Sequence, residues 1–371
     1  MRILRVSHWL YPDEIGGGEY HVHAMSRDQA AMGHDVTLLK VTSNVTQIQR
    51  EERHGYEVIY CPATINILKN EISITAARQL FGADSFDIVH AHSHFYFSTN
   101  LAALKRRFGD TPLAITNHSL YSQSAPERLF SYYLKTVGRW TLNSADLIFC
   151  YTEEERQKTQ ELGVTADTAV IANGIDEQQF CPEGPESEHL HSDTPSVLFV
   201  GRLVEGKNPH DAIKTIAAVR EEHPNATLYI VGNGPLLTDL EETVRKHNLE
   251  TAVEFLGQIP YDDMPPLFRA ADVLLLPSRA EGFPRVVMEA MASETPVVCS
   301  ALDQVTDAVD GAGYTVPIGD VTQMSKKTTQ LLADQELQNE YGTEGRTTVE
   351  TEFSWSDTVS RTTELLSELS K

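Results

Sequence analysis

The sequence has little of several features that would each indicate a particular class of protein. Its 371 residues include four cysteines without a Cys-x-x-Cys pair, which argues against a disulfide framework or a zinc ribbon. No apolar run approaches the roughly 20 residues that a membrane-spanning helix needs. Acidic residues outnumber basic ones by 53 to 30, whereas a surface that binds nucleic acid needs a basic excess. These absences favour a globular chain, long enough for two domains, that has no nucleic-acid partner.

The start of the chain and its isolated cysteines bear on the cellular compartment. A strand-like run, Ile3 to Ser7, begins almost at Met1 and leaves no space for a secretory signal peptide. Cys150 and Cys299 lie in apolar runs and are most simply buried thiols. We therefore expect a cytoplasmic protein, and a peripheral contact with the inner face of a membrane stays open.

The most informative stretch, Leu276 to Val298, predicts a strand, a tight turn and a helix. After the apolar run, Glu281-Gly282-Phe283-Pro284 has the composition of a turn, and Val286 to Ala292 that of a helix. Gly282 allows unusual backbone angles, and Pro284 suits a first helical turn because its missing N–H would be unpaired there. Free N–H groups and the positive end of the helix dipole make such a turn an anion site.

Two carboxylates flank this predicted anion site. Glu281 lies in the turn and Glu289 on the helix, eight positions apart. On a helix that spacing returns to within about 80° of the starting direction, so both would lie on roughly one side. A carboxylate beside an anion site needs a neutral partner rich in hydroxyl groups, and a sugar supplies this chemistry. The alternative is a surface helix with two solvated acids.

The setting of these acids resembles the donor-binding motif of a known family. Glu281 to Val298 is similar to the Glu-x7-Glu segment of the retaining nucleotide-sugar glycosyltransferases called GT4. The resemblance implies an α/β protein of GT-B fold, with two facing Rossmann-like, doubly wound parallel-sheet domains and an interdomain cleft. It also implies that Glu281 acts on the sugar hydroxyls and that Glu289 binds the ribose. N–H groups around the turn would assist the diphosphate, at Gly282, Phe283, Pro284 and Arg285, although Pro284 itself has none.

A second motif supplies positive charge. Ser196 to Val200 predicts a strand, and Arg202 and Lys207 follow five residues apart on the loop before a helix. A departing nucleoside diphosphate gains negative charge, which fixed cations stabilise in the transition state. Arginine can grip phosphate oxygens bidentately, and lysine acts as a point charge. In this position the pair resembles the diphosphate clamp of the same family.

In the first half of the chain, a glycine turn and a histidine each follow a predicted strand. Gly16-Gly17-Gly18 does not fit Gly-x-Gly-x-x-Gly, so the usual dinucleotide fingerprint fails. His118 stands just past an apolar run, at the edge where α/β sheets bind ligands. The resemblance implies that Gly17 approaches the donor diphosphate and that His118 lies beside the reacting sugar. A flexible glycine turn and a structural histidine are the alternatives.

Three histidines at alternate positions, His90, His92 and His94, raise the question of a metal. A strand would point all three to one face, where they could bind zinc. No cysteine lies close by in sequence, and the chain has no Asp-x-Asp motif to hold a catalytic cation. We therefore predict a reaction that needs neither a metal nor another cofactor.

The same patterns divide the chain. We predict an amino-terminal, acceptor-side Rossmann-like domain at 1–176, a linker at 177–194 and a donor-nucleotide domain at 195–351. A last helix at 352–371 would cross back to the first domain, because Phe353-Ser354-Trp355 resembles the opening of that helix in the family. One departure from the family pattern is Glu294, at a position where glycine is common.

The expected enzyme is a hexosyltransferase-type glycosyltransferase that takes a sugar from a nucleoside diphosphate and keeps the anomeric configuration. Its partners would be a nucleotide-sugar donor and an acceptor of open identity: a lipid-linked glycan, a polysaccharide or a small molecule. Two alternatives remain, a sugar-nucleotide 2-epimerase of similar architecture and a degenerate sugar-nucleotide binder. An epimerase needs no acceptor, and a degenerate binder would not be expected to keep every residue named above.

Overall fold

The computed structural model describes residues 1–67, 70–82, 85–118, 120, 127–191 and 193–371. Its contacts divide the chain into two compact units. The amino-terminal unit comprises Met1–Asn173 and Ser356–Lys371, and the carboxy-terminal unit comprises Gly174–Trp355. Each unit is described by itself below.

The amino-terminal unit alternates strands with helices. Its strands are β1 (Arg2–Ser7), β2 (Asp35–Thr42), β3 (Gln49–Arg53), β4 (Tyr56–Pro62), β5 (Ile65–Ile67), β6 (Asn70–Ile72), β7 (Ile88–His92), β8 (Leu113–Thr116), β9 (Leu147–Cys150) and β10 (Asp167–Val170). Its helices before the last one are α1 (Gly17–Ala31), α2 (Ile74–Phe81), α3 (Phe97–Phe108), α4 (Glu127–Tyr133), α5 (Arg139–Leu142) and α6 (Glu153–Glu161), with a π-helical segment at Leu134–Gly138.

Within the described residues, the main sheet of this unit has the strand order β10-β9-β8-β7-β1-β2-β4-β3. Neighbouring strands are parallel except for the antiparallel pair β3 and β4 at one edge. The order reverses at β1, which has β2 on one side and β7 on the other. Open α/β sheets bind ligands outside the carboxyl ends of the strands at such a reversal. Here those ends are Ser7 and His92.

Both faces of this sheet are covered, which explains the nearly continuous apolar runs of its central strands. In β1, Leu4 and Val6 pack into one buried cluster, and Ile3 packs into a second cluster on the other face. Leu366, near the end of the chain, joins the second cluster and has no solvent exposure. The last residues of the chain therefore complete the core of the amino-terminal unit.

The carboxy-terminal unit has the same kind of alternation. Its strands are β11 (Ser196–Val200), β12 (Thr227–Val231), β13 (Val253–Gly257), β14 (Val273–Leu276), β15 (Val297–Ser300) and β16 (Gly313–Val316). Its helices are α7 (Pro209–Val219), α8 (Leu237–Lys246), α9 (Pro265–Ala270), α10 (Arg285–Ala292), α11 (Thr306–Val309), α12 (Val321–Ala333) and α13 (Gln335–Glu352), and the chain ends with α14 (Trp355–Leu369). No helix in the described part of the chain is both long and apolar enough to span a membrane.

The sheet of this unit is entirely parallel, in the order β13-β12-β11-β14-β15-β16. Counted along the chain, this is the order 3-2-1-4-5-6 that defines the Rossmann fold. The reversal lies between β11 and β14, so the loops after these two strands share the ligand-binding edge. Two doubly wound parallel sheets confirm the predicted α/β architecture.

Glu294, the departure noted in the sequence, follows the end of α10 in a left-handed conformation, with φ 59°. This is the position at which helices commonly end in glycine, because other residues adopt the conformation at a cost. The carbonyl oxygen of Glu294 also lies only 2.4 Å from where a Cβ on Gly342 would stand. Glu294 thus adopts the left-handed backbone conformation that glycine usually adopts at this position.

Candidate active site

The loops that follow β11 and β14 contact each other at the reversal of the carboxy-terminal sheet. The Lys207 Nζ lies 2.6 Å from the Glu281 Oε1, and the Ser278 hydroxyl donates to the same oxygen at 2.6 Å. The Arg279 N–H donates to the Gly206 carbonyl at 2.8 Å and ties the two loops together. Two predicted residues, 74 positions apart, therefore form one partly buried ion pair.

Arg202 lies on the same loop as Lys207 but differs from it in exposure. Its side chain is exposed and has no hydrogen-bond or ion-pair partner among the described residues. Gly232 packs against the start of this loop. Its φ is 138°, and a Cβ added to it would stand 2.0 Å from the Gly201 carbonyl oxygen. Only glycine permits this approach. The edge thus presents one cation in an ion pair and one facing solvent.

Glu289 is buried on α10 and already has two partners. The Tyr261 hydroxyl donates to its Oε1 at 2.8 Å, and the Arg285 Nε lies 3.6 Å from the same oxygen. Burial raises the pKa of Glu289, while Arg285 and the Tyr261 hydroxyl act in the opposite direction. The carboxyl group is therefore held in one orientation before any ligand arrives.

The predicted turn before α10 is formed, and the Arg285 side chain points inward from it. Its Nη1 donates to the Gly174 carbonyl at 2.9 Å, and its guanidinium lies 5.9 Å from the Trp355 ring centroid. The Arg285 N–H donates to the Phe283 carbonyl at 3.0 Å. The N–H groups of Gly282 and Val286 have no acceptor among the described residues. At this helix start, those two N–H groups remain for an anion.

In the amino-terminal unit, histidine and tyrosine rings gather at the carboxyl ends of β7, β8 and β9. The His118 Nε2 lies 3.0 Å from the His92 Nδ1, and the His118 Nδ1 lies 2.8 Å from the Tyr151 hydroxyl. The His21 ring meets the His118 ring edge-on, with centroids 5.4 Å apart. His118 is thus fixed through both ring nitrogens.

The glycine turn packs directly on this imidazole. Helix α1 begins at Gly17, and a Cβ on Gly18 would stand 3.5 Å from the His118 Nδ1. The N–H groups of Gly17 and Gly18 have no acceptor among the residues that the structure describes. The structure therefore brings predicted Gly17 and His118 to one place, at the positive end of a helix.

The three alternating histidines do not share one face. Strand β7 ends at His92, and Ser93, with φ 63°, turns the chain before His94. His90 and His92 remain neighbours, with ring centroids 4.5 Å apart, but the His94 Nδ1 lies 2.9 Å from the Asn117 Oδ1 instead. In the described ranges, no group of three or more histidine, cysteine, aspartate or glutamate residues is arranged to hold a metal ion. The premise that the strand aligns all three histidines was wrong.

Burial makes these histidines poor bases. It lowers the pKa of His90 and of His92 well below the usual value, and it lowers that of His94 to about 4. Neighbouring cationic groups, Arg5 among them, act in the same direction on the first two. At neutral pH this cluster is a set of uncharged donors and acceptors.

Comparison with known proteins gives a family match for each of the two units. Residues 15–179 match the family model for glycosyltransferase family 4, and residues 182–348 match the model for glycosyl transferases group 1. The glycogen synthase of Mycobacterium tuberculosis is 29% identical to the chain, over 98% of the chain and 94% of that protein. The chain belongs to glycosyltransferase family 4. It is accordingly a glycosyltransferase that depends on a sugar nucleotide.

Solved structures show the fold of this glycosyltransferase. Sucrose-phosphate synthase from Thermosynechococcus elongatus superimposes with a TM-score of 0.84 at 23% identity, covering 100% of this chain and 99% of that one. HepE from Anabaena, in complex with UDP and glucose, gives 0.81 at 19% identity, covering 99% and 100%. The predicted GT-B fold is confirmed.

Several residues of the glycosyltransferase escaped the sequence reasoning. Tyr261, Ser278 and Tyr151 each donate or accept a hydrogen bond at a predicted site residue. Ser278 lies within the central motif, three residues before Glu281, so its position was available as a signal. Tyr151 follows a predicted strand 33 residues beyond His118, and nothing in its local sequence indicates the contact.

Proposed function

We propose that this glycosyltransferase transfers a hexose from a nucleoside diphosphate hexose to an acceptor hydroxyl, with retention of the anomeric configuration. The bond from the anomeric carbon to the diphosphate breaks, a bond to the acceptor oxygen forms, and the acceptor proton leaves with the diphosphate or to solvent. The observation that carries the proposal is the Lys207–Glu281 pair, because it sets a cation for the diphosphate directly beside an acceptor for sugar hydroxyls.

The leaving diphosphate would be held by charge and by N–H groups. Arg202 has no side-chain partner among the described residues, and Lys207 can exchange the Glu281 carboxylate for a phosphate oxygen. The Gly282 N–H and the Gly17 N–H supply further donors. Groups that are oriented before charge develops stabilise it without a metal ion. We therefore propose a reaction that is independent of divalent cations.

The rest of the donor would be held by the remaining predicted residues. Release of Lys207 toward the diphosphate leaves Glu281, still bonded by Ser278, able to accept from sugar hydroxyls. Glu289, oriented by Tyr261, would accept from the ribose hydroxyls. His118 would lie beside the anomeric carbon as a hydrogen-bonding group, and we assign it no role as nucleophile or base.

HepE, which has been solved with UDP and glucose, makes UDP-glucose a sensible first donor to test. We would measure thermal shifts with UDP-, ADP- and GDP-hexoses, since a ligand bound only to the native state raises stability with its affinity. The best donor would then be offered to simple sugar acceptors, and proton NMR would assign the anomeric configuration of the product. Inverted product, or a hexose epimerised in the absence of any acceptor, would contradict the proposal.

We also propose a peripheral membrane contact through the surface formed by residues 128–140. Four large apolar side chains on it are exposed: Leu129, Tyr132, Val137 and Trp140. Three exposed cations accompany them, at Arg128, Lys135 and Arg139, in a chain whose net charge is −23. Apolar side chains combined with basic ones are typical of segments that lie on anionic lipid surfaces.

Vesicle sedimentation tests this contact. The protein should pellet with vesicles that contain anionic lipid and stay in solution with purely neutral ones. The variant Leu129→Ser/Trp140→Ser should lose the binding, while Phe108→Ser, which changes an exposed apolar residue on α3, should keep it. Equal recovery with both kinds of vesicle would rule the contact out.

A further inference from the structure

Glu155 lies at the start of α6, just after β9, where Thr152 is the N-cap residue of the helix. The Thr152 hydroxyl accepts from the Glu155 N–H at 3.1 Å. The Glu155 Oε2 accepts in return from the Tyr151 N–H at 2.7 Å. The first bond caps the helix, and the second is shifted by one residue from that of a capping box, because it reaches the N–H just before the cap residue. One oxygen of the carboxyl group is thereby accounted for by helix capping.

The second oxygen of the Glu155 carboxyl group makes a hydrogen bond that helix capping does not require. The Glu155 Oε1 accepts from the Asn117 Nδ2 at 2.9 Å, across to the end of β8. Asn117 has no solvent exposure and stands immediately before His118. The hydroxyl of Tyr151, whose backbone N–H is held by the other oxygen, bonds the His118 ring. One carboxyl group thus holds both residues that determine where the imidazole lies.

The carboxylate also sets the direction of the hydrogen bonds around it. Because a carboxylate only accepts, the Asn117 amide must turn its NH2 group toward Glu155 and its oxygen toward the His94 Nδ1, 2.9 Å away. A glutamine at 155, or a protonated carboxyl, can place a donor against the Asn117 NH2. The asparagine would then have to flip or shift, and the chain at His118 would shift with it.

We infer that Glu155 is a positioning residue for His118, holding the imidazole through Asn117 on one side and Tyr151 on the other. This rests on the proposed function, in which His118 lies beside the reacting sugar. Glu155 itself makes no hydrogen bond or ion pair with the rings of His118 and His92 in the described part of the unit. Its effect on the reaction is therefore indirect and acts through position.

Protonation of Glu155 should make the position of His118 depend on pH, whereas a residue that only caps a helix would not have this effect. Burial raises the pKa of Glu155 to about 7, opposed by the Tyr151 N–H and by Lys158. The Cys150 thiol, whose pKa burial raises to about 12, interacts electrostatically with Glu155, Arg156 and Glu153, and His94, which bonds the other end of the Asn117 amide, is kept neutral near pH 7 by burial. Glu155 should therefore gain its proton as the pH falls through about 7, and the asparagine should lose its fixed orientation.

The test compares Glu155→Gln with Glu154→Gln, a change on the same helix at a residue whose one ion pair among the described residues is with Lys158. We expect Glu155→Gln to lower kcat about 10- to 100-fold, the range for loss of a hydrogen bond to a charged group, with donor KM nearly unchanged. The acid limb of the wild-type kcat profile near pH 7 should disappear in this variant. Glu154→Gln should match the wild type in both respects.

His118→Ala separates failure of this inference from failure of the proposed function. Full activity of His118→Ala would remove the role of His118 itself and with it the premise. Impaired His118→Ala alongside a Glu155→Gln that keeps the wild-type kcat and pH profile would overturn the inference. Should Glu155→Gln not fold, nitrogen-15 NMR of the wild-type histidine rings decides the question. A His118 ring that stays neutral but changes its tautomer or hydrogen bonding as the pH falls through about 7 supports the inference. A ring that only gains its own proton, or whose signals are constant from pH 6 to pH 8, overturns it.

Discussion

The two units share a topology and differ in what stands at the reversal of the sheet. In the carboxy-terminal unit this edge carries ions: Lys207 paired with Glu281, and an exposed Arg202. In the amino-terminal unit it carries uncharged rings, with His118 between His92 and Tyr151. The common fold determines where a ligand binds, and the local side chains determine its chemistry.

Burial accounts for the difference in charge. The histidines of the amino-terminal edge have few charged partners, so desolvation keeps them neutral. The buried ions of the carboxy-terminal edge have opposite charges within 3.6 Å, at Lys207 and Glu281 and at Arg285 and Glu289. Four experiments test this contrast, in descending order of expected effect.

The largest effect should come from Glu281→Gln in the carboxy-terminal unit. The amide keeps the shape but weakens charge-assisted bonds to sugar hydroxyls and leaves Lys207 without its partner. We expect transfer to fall by about two to three orders of magnitude, comparable to the loss of one oriented electrostatic group. Glu254→Gln, at an exposed position of the same unit, is the control for steady-state kinetics. Wild-type turnover by a folded Glu281→Gln protein would defeat the assignment.

Arg202→Ala and Lys207→Ala should each weaken donor binding and lower kcat by about 10- to 100-fold, because each removes one charged hydrogen-bonding group. Since both would serve one diphosphate, the double variant should lose less than the product of the single losses. Lys214→Ala, on the following helix, is the matched control. Strict additivity, or a change confined to acceptor KM, would argue against a shared clamp.

A smaller effect concerns stability in acid. The pKa of His90 and of His92 lies well below normal, and His23 and His94 have pKa values of about 4, all lowered first by burial. The unfolded chain therefore binds more protons between about pH 6.5 and pH 4, and each histidine costs up to about 1.4 kcal/mol of stability per pH unit there. The pKa of His34 is also lowered by burial, whereas Glu155, with its raised pKa, acts in the opposite direction as a single group against these histidines.

In the carboxy-terminal unit the buried carboxyl of Glu289 has a raised pKa, so acid should favour that unit's native state. Hydrogen exchange followed by mass spectrometry can read the two units separately. Between pH 6.5 and pH 4.5, after correction for intrinsic rates, amides of β7 and β8 should lose protection before those of β14 and β15. The reverse order, or simultaneous loss, would break the comparison between the units.

Removal of metal ions is expected to leave the activity unchanged. If fixed groups neutralise the diphosphate, activity should survive exhaustive EDTA treatment. Elemental analysis should find no stoichiometric zinc on His90, His92 or His94. One metal per chain, with activity lost to chelator and restored by that metal, would overturn the proposed metal-independent mechanism.

Much of the fold was predictable because local patterns determine it. The strand at Ile3 to Ser7 and the helix at Val286 to Ala292 were each predicted to within one residue of their observed bounds. The alignment of His94 with His90 and His92 was not predictable, because it depends on the left-handed turn at Ser93, and serine carries no strong signal for that conformation. For the same reason, the left-handed Glu294 was visible only as a departure from a family pattern.

By itself, the sequence determined the two α/β sheets, the family and the positions of the glycine turns at helix starts, since strand periodicity, glycine and proline act over a few residues. Only the tertiary structure decided which of those residues meet. Lys207 and Glu281, or Glu155 and Asn117, are far apart in the chain and come together because parallel strands bring their carboxyl ends to one edge. The pKa shifts also belong to this level, because burial arises only when both faces of a sheet are covered.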